Sequence, residues 1–290
     1  MRIAIYGAGS LGTILGAYIS KAGVEIELIN RNKAHIEALQ TKGAHITGTV
    51  EFTQPVVAYT PDQMKGEYDV IFLMTKQQHN AEVVTMLKDY LAADGALVTF
   101  QNGLPEVQIA EILGEDRVLG CTVAWGATLQ EPGVCELTSA TDALSFSLGA
   151  ISPKKNRHFD KIKEVLEHMG TVDVEENFIG TRWSKLLINA SFSGMSAVLG
   201  CTFGEAAAPR ESRKIVQALI KDHEDTVANI YRYEDILDRR DSMVQVLMND
   251  LDQIKKEFAR KRRTVVDNCE EAVYEEKKQE EMELTFLMDR

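Results

Sequence analysis

The stretch "AIYGAGSLGTILGAYI", residues 4–19, decides the fold. An apolar run ends in Gly7-x-Gly9-x-x-Gly12, and an apolar helical pattern begins at once. Glycines at this spacing, between a buried strand and a helix, mark a dinucleotide-binding turn. The first two permit the tight turn and the close approach of a pyrophosphate. The third lets the helix pack on the strand, while the helix N-terminus faces the negative charge. Incidental glycines in an ordinary strand-turn-helix are the plain alternative, and the strand and helix context argues against it. Gly7, Ala8, Gly9, Ser10, Leu11 and Gly12 are therefore the expected cofactor-binding loop.

Downstream, "EIELINR", "YDVIFLMTK" and "ALVTFQNG" read as further strands, rich in Ile, Val, Leu and Phe. "NKAHIEALQTKG" and "NAEVVTMLKDYLAADG" read as the helices between them, each closed by glycine. Strands alternating with helices predict a parallel, doubly wound sheet. From Arg117 the pattern changes to strand after strand, with a turn at Glu131-Pro132-Gly133, which predicts an antiparallel extension of the same sheet. After Gly204 there is no glycine, and apolar residues recur at helical spacing from Ile215 to Val227 and from Met243 to Phe258. The expected fold is α/β, with a Rossmann-type doubly wound N-terminal domain over residues 1–176 and an all-helical C-terminal domain over 177–290. The Met243–Phe258 series reads as packing within that domain, with a homodimer interface as the alternative.

The net charge of −12 argues against a dedicated nucleic-acid binder or a basic membrane-surface protein. No apolar run approaches the ~18 residues that span a bilayer. The four cysteines are scattered, with no CxxC and no histidine cluster, so neither a metal framework nor a disulfide scaffold is expected. The chain starts directly on its first strand, and cytoplasm is the expected compartment.

The end of the second strand bears on which dinucleotide binds. An NAD site usually places Asp or Glu there to hold the ribose 2′-hydroxyl. This chain has "NRNK", and Arg31 can grip a 2′-phosphate that a carboxylate would repel, so NADP(H) is the expected cofactor. Lys76 and Asn102 end two further strands and are expected to line the nicotinamide and substrate side. In "FIGTRWSKLLINASFSG", residues 178–194, Lys185, Asn189 and Ser193 are four apart and share a helix face among apolar neighbours. A buried amine is costly unless something pairs with it. Alone, this segment reads most simply as a lysine whose stem packs while its head reaches water.

Taken together, "GAGSLG", "NR", "TKQQ", "QNGLPE", "RVLGCTVAWGATLQEPGV" and "RWSKLLINASFSG" resemble the ketopantoate reductase family over roughly residues 1–204. The resemblance implies NADPH-dependent reduction of a 2-keto acid, 2-dehydropantoate, in pantothenate biosynthesis. It implies Lys185 as general acid, Asn102 and Asn189 arranging lysine and substrate, and Lys76 near the cofactor. Ser193 stands where the family commonly has a second asparagine, and His79 where it commonly has glutamine. Ser242, in "DSMVQ", matches a family serine on the substrate. Val265, in "RRTVVD", stands where the family has a substrate-binding glutamate, with Glu257 closer to the expected spacing but outside the motif. An altered C-terminal half keeps two other readings open, a reductase of another 2-keto acid or opine-type dehydrogenase, and an NADPH-binding sensor without turnover. The intact "RWSKLLIN" counts against the sensor.

Overall fold

The computed structural model describes residues 1–202 apart from Pro153 and Lys155, and beyond them residues 205, 206, 208, 210, 212–218 and 221. Its elements run β1 (Ile3–Tyr6), α1 (Ser10–Lys21), β2 (Ile26–Ile29), α2 (Lys33–Lys42), β3 (Ala44–Gly48), β4 (Phe52–Gln54) and β5 (Val57–Tyr59). There follow β6 (Tyr68–Leu73), α3 (Asn80–Lys88), β7 (Leu91–Thr99), α4 (Pro105–Leu113), β8 (Val118–Val123), β9 (Ala127–Glu131) and β10 (Val134–Leu137). The described elements end with β11 (Ser145–Ala150), α5 (Phe159–Glu167), β12 (Thr171–Glu175) and α6 (Phe178–Leu199). Two compact units divide between Leu186 and Leu187, inside α6.

An eight-stranded sheet in the order β12-β11-β8-β7-β6-β1-β2-β5 carries the first unit. The strands from β8 to β5 are parallel, as alternating strands and helices predict. Side chains alternate across it. Ile3 and Ile5 join Ile14 and Leu15 of α1 and Ile162 of α5 on one face, whereas Ala4 and Ile71 join Val84 of α3 and Ile109 of α4 on the other. Burial on both faces explains why these strands read as continuous apolar runs.

Two expectations are corrected. The turn at Pro132-Gly133 is present, with Gly133 at φ 81°, and β11 does extend the main sheet antiparallel to β8. The β9–β10 hairpin, however, belongs to a second, four-stranded sheet in which β10 pairs in parallel with β3. Strand partners this distant in sequence are set by tertiary packing, and hairpin spacing carries no trace of them. The helix expected to reach Gly95 stops at Lys88, and Leu91–Thr99 is strand. Arg117 donates to the carbonyls of Leu91, Ala92 and Gly95, and Tyr68 N donates to Tyr90 O at 2.7 Å. Long-range partners for these groups override the helical preference of Leu, Ala and Ala.

Gly120 of β8 and Gly149 of β11 face each other across the ladder. A Cβ at either would fall 1.9 Å or 2.5 Å from Phe178 atoms, so the missing side chains are the seat of this buried ring. The first turn of α6 is thereby anchored on the sheet. In the second unit, Met195, Ala206 and Val216 form a small buried cluster with Phe192, Cys201 and Ile215, and residues 212–218 are helical. No helix among the described residues is long and apolar enough to cross a membrane.

Candidate active site

The carboxyl ends of β2, β1, β6 and β7 lie side by side at one edge of the sheet and open into a cleft of about 720 Å³. Ligands of open α/β sheets bind at this edge. The cleft is lined by Gly7, Gly9 and Leu11 of the glycine loop, by Arg31, by Lys76 and by Asn102. Four strand ends far apart in sequence therefore meet as expected.

Gly7 adopts φ 99°, and a Cβ there would lie 2.7 Å from Thr75 N, so the loop is pressed against the end of β6. At Gly12 a Cβ would meet Ile5 Cγ2 at 2.9 Å, the close helix-strand packing that the third glycine allows. Gly9 is different, because a Cβ there meets only Gly7 O, at 4.0 Å. Its bare backbone faces the cleft, and Ser10, Leu11 and Gly12 supply the first amides of α1, which no intrahelical carbonyl can satisfy. A phosphate group fits this cradle.

Buried polar groups hold the loop from behind. Gly7 N and Ala8 N both donate to Ile29 O at 2.9 Å, joining the loop to β2. Asn30 Nδ2 donates to Ala8 O at 2.7 Å, and Thr13 Oγ1 donates to the same oxygen at 3.2 Å. Gly133 N donates to His35 Nδ1 at 3.0 Å, so in the neutral ring Nε2 carries the proton and faces Thr13 Oγ1, also at 3.0 Å. Burial pushes the His35 pKa down, consistent with a neutral imidazole.

At the end of β2, Asn30 and Asn32 are occupied locally. Asn32 caps α2 by accepting from His35 N at 3.2 Å, and Asn30 Oδ1 accepts from Asn32 N at 2.9 Å. Arg31 between them is exposed on the cleft. Burial raises the Tyr6 phenol pKa, while Arg31 opposes that rise and Glu82 adds to it. The Arg31 guanidinium thus acts on the cleft wall, and no carboxylate replaces it at the end of β2.

The ends of β6 and β7 are locked together. Asn80 and Gln101 exchange two amide hydrogen bonds, Nδ2 to Oε1 at 2.9 Å and Nε2 to Oδ1 at 2.7 Å. Gln101 Nε2 also reaches Thr75 Oγ1 at 3.3 Å, and Gln77 Nε2 donates to Asn102 O. Lys76 and Asn102, both exposed, are each carried beside one of these clamped residues.

Lys185 does not line the cleft. Its half-buried amine donates to Val123 O at 2.6 Å, at the carboxyl end of β8, the strand next to β7. Burial, with a contribution from the Arg182 charge, pushes the amine's pKa below the ordinary lysine value. The expectation that the head simply reaches water is thus replaced by a partly desolvated amine on a carbonyl. Asn189, half-buried, and Ser193, exposed, follow at four-residue intervals on α6 but belong to the second unit. Ser242, Glu257 and Val265 lie outside the described residues.

Sequence reasoning missed Arg182 and Glu106. Arg182 is 2% exposed and Glu106 is fully buried, and the two form an ion pair. Arg182 Nε donates to Glu106 Oε1 at 2.8 Å, Nη1 to Gln101 O at 2.7 Å and Nη2 to Thr99 O at 3.0 Å. Burial holds the Glu106 carboxyl pKa above the ordinary carboxylate value, and the guanidinium offsets only part of that rise. The available signal was an arginine among apolar residues one turn before Lys185, since a buried charge demands a partner. Nothing local said which carboxylate it would be.

The fold and the strand-end cleft define a Rossmann-type α/β protein with a glycine-rich turn between its first strand and first helix. The chain belongs to the ketopantoate reductase PanE/ApbA family, whose N-terminal part matches residues 3–150 and whose C-terminal part matches residues 177–283. The 2-dehydropantoate 2-reductase of Pyrococcus horikoshii is 31% identical over 201 residues, which is 69% of this chain and 64% of that protein. The chain thus aligns with just under two thirds of that relative's length. The Streptococcus pyogenes 2-dehydropantoate 2-reductase is 26% identical over 222 residues, 76% of this chain and 71% of the relative. Among solved structures, the 2-dehydropantoate 2-reductase of Geobacter metallireducens matches with TM-score 0.68 and 26% identity, over 76% of this chain and 73% of that one. D-mandelate dehydrogenase in complex with NADH matches with TM-score 0.70 over 80% of this chain and 74% of that one; at 20% identity it shares the fold alone.

Proposed function

We propose that this chain reduces 2-dehydropantoate to pantoate with NADPH, as a step of pantothenate biosynthesis in the cytoplasm, with Lys185 as general acid. The observation that carries this reading is the half-buried Lys185 amine at the end of β8, beside the strand ends that line the cleft. The glycine loop would hold the diphosphate and Arg31 the 2′-phosphate, with Lys76 and Asn102 toward the reacting end. When bound, NADPH supplies the hydride. Lys185 would hold a proton at Nζ and give it to the ketone oxygen as negative charge develops there. A lowered pKa brings that transfer closer to working pH. Asn102, Asn189, Ser193 and Ser242 would orient the keto acid. Residues 1–176 form the cofactor domain in this reading and 177–290 the substrate domain, through which a homodimer would form.

A second reading, reduction of another 2-keto acid, rests on Val265 at the position of the family's substrate-binding glutamate. Loss of NADPH absorbance in the presence of 2-dehydropantoate and of a panel of other 2-keto acids tests both. Turnover of 2-dehydropantoate, abolished in Lys185→Ala, is the expected result. Turnover of a different keto acid alone moves the assignment to the second reading. NADPH binding with no turnover of any of them would sink both.

A further inference from the structure

We propose that Arg182 is the positioning residue for Lys185, through the brace its guanidinium makes with Glu106, Thr99 and Gln101. This rests on Lys185 being the proton donor.

The brace joins three elements at one point. Thr99 is the last residue of β7, Gln101 immediately precedes Asn102, and Glu106 is in the first turn of α4. Arg182 lies in α6 and directs its Nε, Nη1 and Nη2 donors at these acceptors. It stands one helical turn before Lys185, so the two side chains leave neighbouring points of the same helix face. Fixing Arg182 therefore fixes the rotation and advance of α6 that bring Lys185 Nζ to Val123 O. The same guanidinium holds the carbonyl of Gln101, whose side chain is clamped by Asn80 and Thr75. Proton donor and Asn102 are thus referred to one rigid frame, although they come from segments about 80 residues apart in the chain.

Apolar packing alone would hold α6 with less definition. Phe178 seats its first turn between Gly120 and Gly149, but that apolar contact is non-directional. A guanidinium fork has fixed directions, and each of its bonds is lost on a small shift. The Arg182 charge also bears directly on Lys185, pushing its pKa further down after burial.

The test uses the full chain with NADPH and the keto acid it turns over, measuring kcat and KM against pH. Arg182→Met alone would strand Glu106 and threaten folding, so the informative variant is Arg182→Met/Glu106→Leu, which removes the ion pair whole. Arg182→Lys is the second, keeping the charge but not the fork. Both are checked for NADPH affinity and thermal unfolding. The expected result in the double variant is a loss of about 100-fold in kcat, the cost of a misplacement near 1 Å, with NADPH affinity retained. Its alkaline limb of kcat moves to higher pH, because the charge that lowered the Lys185 pKa is gone. Arg182→Lys loses kcat with the limb in place. Wild-type kcat and an unmoved limb in a folded variant would overturn the proposal and leave Arg182 purely structural. Lys185→Ala separates the two levels. If it keeps wild-type turnover, the proton-donor reading fails and this inference with it. If it abolishes turnover while both Arg182 variants behave as wild type, only the positioning role fails.

Discussion

Replacing the first two loop glycines singly by alanine separates a glycine needed for the fold from one needed for the ligand. At Gly7 the backbone has φ 99°, and an added Cβ would lie 2.7 Å from Thr75 N and 2.8 Å from the Met74 carbonyl carbon. Forcing a left-handed residue costs about 1–2 kcal/mol, and overpacking against backbone adds about 1–3 kcal/mol. Gly7→Ala is therefore expected to lose about 2–5 kcal/mol of stability, the sum of the two. At Gly9 φ is −85° and the nearest atom to a new Cβ is Gly7 O at 4.0 Å. Stability there should fall by less than at Gly7, because no packed atom opposes the new methyl. The methyl would instead occupy the space a phosphate needs. Losing one or two charge-assisted hydrogen bonds, each about 1.5–3 kcal/mol, weakens NADPH by roughly 10-fold or more. Thermal unfolding without ligand and a fluorescence titration with NADPH read the two quantities separately. A Gly9→Ala protein that binds NADPH like the wild type, or a Gly7→Ala protein that melts like it, would refute the reasoning.

Arg31→Ala should raise the KM for NADPH by about 10–100-fold, the worth of one or two charge-assisted bonds, and leave that for NADH nearly unchanged; equal effects on both cofactors would remove Arg31 from the 2′-phosphate. His35 has a lowered folded pKa, so its contribution to stability is present above the ordinary histidine value of about 6.5 and is lost as pH falls through the folded pKa. The melting temperature should accordingly fall more steeply below that pH in the wild type than in His35→Asn, and parallel curves would contradict this. Gly120→Ala drives a methyl to 1.9 Å from Phe178 Cε1 and should cost about 1–3 kcal/mol in thermal unfolding, with the truncating change Phe178→Leu recovering part of it in the double variant.

Much of this architecture is legible in the order of residues, because the relevant physics is local. The buried strand, glycine spacing and apolar helix of residues 4–19 place the glycine-rich turn at the cleft. "NRNK" leaves one exposed arginine between two asparagines that the backbone consumes, and the structure shows why, since Asn30 and Asn32 bind the loop and cap α2. Lys76 and Asn102 were recognisable as strand ends, and parallel strands necessarily bring such ends to a common edge. That Lys185 sits among apolar neighbours could likewise be read from helical spacing.

Only the folded chain decides what depends on partners remote in sequence. The β9–β10 hairpin looks the same whether it extends the main sheet or pairs with β3, and its packing alone makes the choice. Leu91 and Ala92 read as helix until Arg117 and β6 claim their backbone groups. Arg182 could have been balanced by any of several carboxylates; only the fold brings Glu106 of α4 to it, with both side chains buried. Local pattern determines which elements form and what chemistry they carry. Which charges meet, and therefore where the Lys185 amine is held, is fixed by desolvation and packing across the whole first unit.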